Sequence, residues 1–373
     1  MTPSSGGSMP SVDDELREVT VHTAHGDIIV DTASVVDPGA WNTSVALSAA
    51  ATVHQTSAWA DYYTRAFGAR SWFLTARTLD RSAVAHLLVL ETGWFHQVAQ
   101  GQAARNWLKG MVNRFRRAFR WVDGPIVAMG DPNLSDTLAG VLLRQAAALA
   151  LERGIGRVRL AVAPHVGCAG HMFASAFGAA GYEKRAWATY VVDLEADIDV
   201  LWSRIDRGSG RSAVRRAQRA GVSVRRLERR EELEGLVVCE QEHARARGLA
   251  ARPEQRWYAL WDALRPHGLL QIFVAEHEGR AVGYTPVKLF NQKMHLIKPV
   301  QAVRHGLPVG DQLVWELICW GRAQGHRWFD LSGVSPRPEN DRDRGIRHFK
   351  SKWGGAYVEY HEWSARLRGE GKA

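Results

Sequence analysis

WFDLSGVSPRPENDRDRGIRHFKSKWGGAYVEY, residues 328–360, is the stretch whose reading decides the fold. A short apolar run, Trp328 to Leu331, breaks into a polar loop containing two prolines, and the chain returns through Gly345-Ile346-Arg347-His348-Phe349-Lys350. A Gly354-Gly355 turn and the alternating Tyr357, Val358, Glu359, Tyr360 close the stretch. The pattern predicts strand, loop, short helix, turn, strand. A lysine placed there is fixed by elements on both sides, so Lys350 is the expected centre of chemistry.

Working outward, Leu313 to Gly325 reads as a helix, Arg327 to Leu331 as a strand, Ile346 to Lys352 as a short helical piece and Tyr357 to Trp363 as a strand. The same order occurs earlier. Ser135 and Asp136 open a helix from Thr137 to Glu152, with Leu138, Val141, Leu142, Gln145, Ala146 and Leu149 on one stripe. Arg157 to Ala163 then reads as a strand, His171 to Ala179 as a small-residue helix and Trp187 to Leu194 as another strand. Sliding one half onto the other by 171 to 173 positions superposes Gly154 on Gly325, Leu160 on Leu331 and Phe177 on Phe349. The residue after Phe177 is Gly178 and the residue after Phe349 is Lys350, so the charge sits in one copy only. A purely structural lysine would not require that asymmetry.

The expected architecture is α/β with mixed sheets, as two tandem domains. Residues 1–18 form a disordered lead-in, 19–194 the first domain, 195–363 the second with a basic inter-domain helix at 204–220, and 364–373 a tail. Val19 to Asp31 alternates like a hairpin turning at Gly26-Asp27. Thr56 or Ser57 caps a helix whose apolar face is Trp59, Tyr62, Tyr63 and Phe67. Trp72 to Ala76 and Ala83 to Glu91 read as antiparallel strands. Between Trp107 and Trp121 five basic residues interleave with four aromatics; a basic aromatic surface is one reading, and a loop with an edge strand whose aromatics face the core is the favoured one. Asp193 to Asp206 carries a helix with Val200, Leu201 and Ile205 inward. In the run after it, Arg207, Arg211, Arg215 and Arg219 fall four apart, with Arg204 and Arg216 close by, and line one helical stripe. So few acids accompany them that a phosphate-bearing ligand is favoured over a merely solvated face. Residues 231–265 are helical without a heptad long enough for a coiled-coil arm. Leu269 to Ala275 and Ala281 to Phe290 form a hairpin, to which Lys293 to Lys298 adds a strand.

The chain has 373 residues, 46% of them hydrophobic, enough for sizeable cores. Its formal net charge of +9 and pI near 9.7 suit a polyanionic partner such as tRNA, a nucleotide-linked substrate or an anionic membrane surface, or equally a basic, arginine-rich enzyme. Three separated cysteines, Cys168, Cys239 and Cys319, give neither a disulfide framework nor a zinc knuckle and fit a reducing cytoplasm. The N-terminal residues carry no apolar stretch of a signal peptide, and no run of 18 apolar residues offers a spanning helix, so membrane contact is expected to be peripheral, at the inner face. No nucleophile triad or metal cluster is expected: His165 with His171, and His295 with His305, read as loop or surface histidines.

Taken together, Tyr190-Val191-Val192-Asp193-Leu194, the basic run from Gly210-Arg211 to Gly221-Val222, Phe329-Asp330-Leu331-Ser332-Gly333 and Gly345-Ile346-Arg347-His348-Phe349-Lys350 before Trp353-Gly354-Gly355 resemble the FemABX aminoacyltransferases. His54-Gln55-Thr56-Ser57-Ala58-Trp59 is similar to that family's early Q-S-x-x-W motif, and the likeness runs from about residue 50 to 363. It implies two acetyltransferase-like (GNAT) domains of the unarmed, FemX type. The activity implied is transfer of an aminoacyl group from aminoacyl-tRNA to an amine of a peptide, nucleotide-linked or lipid-linked acceptor, with no cofactor. The family's Phe-Lys pair matches Phe349 and Lys350, with Asp330 beside them, and its phosphate-binding arginine falls among Arg211, Arg215 and Arg216. Trp59, Tyr63, Lys298, Arg304 and Arg347 complete the expected substrate contacts. The family's phosphate-contacting lysine falls near Tyr63, which is not basic, and this leaves room for an acceptor other than a muropeptide. The competing expectation is a GNAT N-acyltransferase using acetyl-CoA or another acyl-CoA. Its pyrophosphate turn has no match at Asp131-Pro132 or at Arg304 to Gly310, where proline removes a donor. A third is a non-catalytic RNA- or membrane-binding protein.

Overall fold

A computed structural model of the chain describes residues 17–93, 112, 116–128, 131–165, 172–249, 251–301 and 306–367. The first half contains β1 (Arg17–Thr23), β2 (Gly26–Ala33), α1 (Pro38–Ala46), α2 (Ser57–Phe67), β3 (Arg70–Arg77), β4 (Ala83–Gly93), β5 (Arg117–Trp121), β6 (Ile126–Val127), α3 (Pro132–Glu152), β7 (Arg157–Val162), α4 (Ala174–Ala179) and β8 (Glu183–Asp193). After α5 (Ile198–Arg204), a π-helical turn at Arg207–Arg211 and α6 (Ser212–Arg219), the second half follows. It contains β9 (Ser223–Arg226), α7 (Leu233–Ala246), α8 (Gln255–Leu264), β10 (Leu270–His277), β11 (Arg280–Phe290), β12 (Lys293–Leu296), β13 (Val300–Gln301), α9 (Val309–Ala323), β14 (Trp328–Asp330), α10 (Asp341–Ser351) and β15 (Ala356–Arg366).

The duplication is visible in the element ends. Helix α3 ends at Glu152 and α9 at Ala323, and β7 starts at Arg157 and β14 at Trp328, both 171 positions on; β8 and β15 start at Glu183 and Ala356, 173 apart. The strands join in one mixed sheet ordered β1-β2-β3-β4-β5-β7-β15-β8-β14-β12-β11-β10-β9. Its centre is the antiparallel pair β15 and β8, in register from Ala356 opposite Val191 to Ser364 opposite Glu183. Each half lends its last strand to the other: Trp363 and Ala365 of β15 are buried in the first core with α3, and Ala188, Tyr190 and Val192 of β8 in the second with α9. A third cluster packs Trp41 and Trp59 of α1 and α2 against Leu236, Trp257 and Leu260 of α7 and α8. Every fully buried leucine or phenylalanine in these clusters contributes about 1.5–3 kcal/mol. The architecture is mixed α/β, two halves of like element order in tandem, with no coiled-coil arm among the described residues.

Several elements differ from their sequence reading. Helix α3 starts earlier than Ser135 because Asp131 caps it, accepting from Asn133 N–H, with proline at the first turn. It is long and apolar enough to cross a membrane, but its stripe, including Leu138, Leu142 and Leu149, lies buried in the first core. Val200 is 42% exposed, while Leu201 and Ile205 point inward as expected. Strand β5 is not an edge strand: it pairs with both β4 and β7, burying Phe119 and Trp121. Residues 107–111 and 113–115 of that basic aromatic stretch lie outside the described residues. The arginine stripe is also interrupted, because Arg207 to Arg211 is π-helical and only Ser212 onward is α-helical.

Candidate functional site between the two halves

Strand alternation builds one side of the site. On β12, Met294 faces the second core, so Lys293 and His295 face the other way. His295 sits opposite Lys288 of β11 and beside Asp330 of β14, giving a row of three polar residues across three strands. Asp330 also ends β14 beside β8. Its Oδ1 accepts from Thr189 Oγ1 and from Ser332 N–H at 2.6 Å, and its Oδ2 accepts from His165 Nε2 at 3.2 Å. His295 Nδ1 lies 3.6 Å from the same oxygen. After Asp330 the backbone turns sharply: Ser332 has φ +65, and a Cβ on Gly333 would lie 2.1 Å from the Trp187 indole nitrogen. The turn leaves the Ser332 and Gly333 carbonyls pointing at Lys350, whose Nζ donates to both at 2.9 Å.

Loops of the first half supply the opposite wall. Thr52 and His54 precede α2, Asp123 follows β5 at a positive φ, and His165 follows β7. Asp123 Oδ2 accepts from Thr52 Oγ1 and His54 Nδ1, both at 2.8 Å, and Lys288 Nζ donates to His54 Nε2. That ammonium also stands 4.8 Å from the Trp59 ring centroid, a cation–π contact, with the His54 ring edge-on to the same indole. Thr52, His165, Lys293, His295, Trp328 and Asp330 line a small cavity where the two walls meet.

Burial sets the charges here. It works against ionisation of Asp330, but donation from His165, the nearby His295 and His165 rings and Thr189 outweigh it and hold the carboxyl well below its usual range. Asp123 is held low in the same way by His54. Desolvation pushes Lys288, Lys293 and Lys350 down to about 8, against the pull of Asp330 in each case and of Asp123 on the first two. Burial also takes His295 down to about 3, and burial with the Lys288 charge lowers His54, so both rings are neutral. Burial lowers His165 too, but its bond to Asp330 outweighs this and the net shift is upward. Two carboxylates and three low-pKa amines therefore share one desolvated junction, an arrangement suited to stabilising transient charge.

Of the residues expected from sequence, Lys350, Asp330 and Trp59 come together at this junction. Phe349 does not: its ring packs by Trp353 and the Lys352 ammonium, on the second core. Tyr63 lies one turn beyond Trp59 in an aromatic stack with Phe67, its phenol pushed up to about 12 by burial. Arg347 is spent on its own loop, donating to Pro336 O at 2.8 Å and lying over Tyr357. Arg211, Arg215 and Arg216 belong to a separate basic face, where Arg215 stands over Trp202 and the Asp206 N–H is tied to Lys352 O at 2.8 Å. Lys352 in turn forms a buried ion pair with Asp311 of α9. Lys298 is exposed and feels the charges of Arg247, Arg252 and Arg342. Arg304, His171 and His305 lie outside the described residues. The expectation that His165 and His295 are ordinary loop or surface histidines is corrected, since both are hydrogen-bonded or ion-paired to a buried aspartate and His295 is 5% exposed. The sequence holds no pattern that joins His54, Asp123, Lys288 and Lys293 into one site, since they stand in separate segments.

One ligand atom each from His54, Asp123 and His295 lies within 4.8 Å of the others, a spacing open to a metal ion. Both nitrogens of His54 are already engaged, by Asp123 and by Lys288, and two lysine ammoniums stand in the cluster. A dication would have to displace or deprotonate them, so the donor set does not fit a metal.

Fold and site together give a tandem GNAT-like fold with a charged junction between its two halves. Residues 206–351 match the family model described as an acetyltransferase (GNAT) domain. The chain is similar in structure to FemX, with a TM-score of 0.69 and 14% identity over 88% of this chain and 96% of that one. It is also similar to a tandem GNAT protein from the clavulanic acid biosynthesis pathway (TM-score 0.53, 15% identity, 91% and 99% covered). The third is the C-terminal domain of a putative lysylphosphatidylglycerol synthetase from Agrobacterium fabrum (TM-score 0.50, 13% identity, 86% and 92% covered). No curated protein matches the sequence.

Proposed function

We propose that the protein is an aminoacyltransferase that moves an aminoacyl group from aminoacyl-tRNA to the amine of a peptide-like acceptor. The observation that carries this reading is Lys350: a desolvated ammonium fixed on two loop carbonyls, behind the Asp330 carboxylate, at the meeting of two acyltransferase-like domains. In the reaction the acceptor amine attacks the ester carbonyl carbon and a C–N bond forms. Negative charge develops on the carbonyl oxygen; the C–O bond to the tRNA ribose then breaks, and the amine proton ends on the departing ribose oxygen. Lys350 steadies the oxyanion or the departing oxygen, worth about 2.7–4 kcal/mol for one well-placed donor. The basic face around Arg211, Arg215 and Arg216 receives tRNA phosphates.

An acyl-CoA donor is the second reading, favoured by the description of the matching family model. Against it, both helix starts that would cradle a pyrophosphate already have protein acceptors: Asp131 at α3, and Gln301 Oε1, which takes the Gly310 N–H at 3.1 Å, at α9. The test is incubation with total tRNA charged with mixed labelled amino acids, with and without RNase, and in parallel with labelled acetyl-CoA. RNase-sensitive labelled amide supports the first reading. RNase-insensitive acylation dependent on acyl-CoA replaces it with the second.

A further inference from the structure

A second cavity, of about 530 Å³, lies between α7 and the β9 to β11 edge of the sheet. In a chain of formal charge +9, its lining carries Glu231, Glu232, Glu234 and Glu242 against a single cation, Arg225. That cation is already claimed, paired with Glu232 at 2.7 Å and with Glu276 at 2.8 Å. Glu231, Glu234 and Glu242 have no hydrogen bond or ion pair with another described residue. A solvated acidic face would show that much, but here the floor adds a polar group aimed inward. Tyr284 is 4% exposed, and its hydroxyl reaches the cavity without a partner among the described residues. It reaches there because α7 has no side chain at Gly235, where a Cβ would stand 2.2 Å from that oxygen. Burial pushes the phenol up to about 12, so the hydroxyl stays neutral and can accept a hydrogen bond from an ammonium.

Spacing selects the ligand. Glu234, Val238 and Glu242 fall four apart on α7 and share one face, so the outer two stand about 12 Å apart along the axis, eight residues at about 1.5 Å each. Val238 between them is 50% exposed and offers an apolar surface. One metal ion cannot serve carboxylates so far apart, and among the described residues the only group with metal-ligand spacing is His54, Asp123 and His295. A cation whose charges are separated by methylenes matches both the carboxylates and the apolar surface. We propose that this cavity binds a linear aliphatic polyamine, its outer ammoniums on Glu234 and Glu242, its methylenes over Val238, and one N–H donating to Tyr284 Oη. Glu231 adds a third negative charge at the mouth. The site does not rest on the transfer reaction proposed above.

Spermidine is the probe, titrated calorimetrically into the full chain, with putrescine, magnesium chloride and trilysine in parallel. Wild type is expected to take one equivalent of spermidine, more tightly than the shorter putrescine, and more weakly as salt is added. Glu234→Gln and Glu242→Gln should each weaken spermidine about two- to fivefold. Tyr284→Phe should weaken it about two- to tenfold without altering the salt dependence, an effect that a merely acidic face would not show. Val238→Lys, at an exposed position, sets a competing ammonium between the two carboxylates and should abolish binding while leaving the thermal midpoint near that of wild type. Spermidine binding equal to wild type in Val238→Lys or in Tyr284→Phe overturns the proposal. So does displacement of spermidine by an equal concentration of magnesium, which would reduce the site to diffuse counter-ion attraction. Trilysine binding more tightly than spermidine overturns it in favour of a basic protein segment.

Discussion

The two halves share a backbone plan but not a chemistry. At the 171-position offset, Asp330 of β14 corresponds to Arg159 of β7, an exposed residue, and at 172 positions Lys350 of α10 corresponds to Gly178 of α4. The second half presents Lys288, Lys293, His295, Asp330 and Lys350 from regular elements, which fix them rigidly. From the first half come His54, in a 3-10 turn (Val53–Gln55), and Asp123 and His165, on loops, all reaching the second half's face. The reciprocal placement of β8 and β15 is what brings the sets together, since neither core is complete without a strand from the other half. The two copies share a backbone plan, and the charged residues at the junction differ between them.

The comparison is broken most directly at Lys350. Lys350→Met should lower turnover about 10²–10³-fold in a charged-tRNA transfer assay, with far-UV circular dichroism unchanged. Full activity in that variant would mean that the asymmetry at Phe349-Lys350 has no catalytic meaning. Asp330→Asn removes the charge that His165 and the three lysines share, and leaves several donors facing a neutral amide. It should cost about 3–5 kcal/mol in urea unfolding and lower the His165 pKa followed by NMR. A loss under 1 kcal/mol would show that the network is not held by that carboxylate.

Lys350 also gives opposite signs for rate and stability. Its folded pKa of about 8 lies below the ordinary lysine value of 10.5, so between those values the unfolded chain binds more protons. The penalty of burying the ammonium is therefore fully present below pH 8 and is relieved as pH rises toward 10.5. Relative to Lys350→Met, the wild-type protein should gain stability from pH 8 to 10, while its rate falls over the same interval. A rate that climbs through pH 9 would assign Lys350 as a base rather than a cation.

Smaller effects sharpen the contrast between the junction and the basic face. Arg215→Ala and Arg216→Ala should each lessen the salt dependence of tRNA binding by about 0.7–0.9 in log–log slope, with little change in the rate at saturation. Gly178→Lys should be the mildest change, within about 0.5 kcal/mol of wild-type stability, because a Cβ at Gly178 meets nothing within 4 Å. It should not restore activity when combined with Lys350→Met.

Element order and the 171-position repeat could be read in the sequence because strand and helix periods persist over many residues, and Gly154 and Gly325 punctuate both copies alike. Phe349-Lys350 was readable as a local motif in a tightly bounded segment. The rest of the site was not, because His54, Asp123, His165 and Lys293 lie in four segments with no periodicity linking them, and only the sheet order makes them neighbours. A partial signal existed for two of them: Asp123 precedes the Gly124-Pro125 turn, and His54 stands directly before the Gln55-Thr56-Ser57-Ala58-Trp59 motif. The basic stripe was misread in geometry rather than identity, because a four-residue repeat assumes an α-helix and Arg207 to Arg211 is wound as a π turn.

The most direct measurement is transfer of labelled aminoacyl groups from a charged total tRNA pool to amine acceptors by the full chain, beside Lys350→Met. The account predicts labelled amide that vanishes with RNase and falls at least a hundredfold in the variant. Labelled amide formed equally by both proteins, or formed only with acyl-CoA, would contradict it.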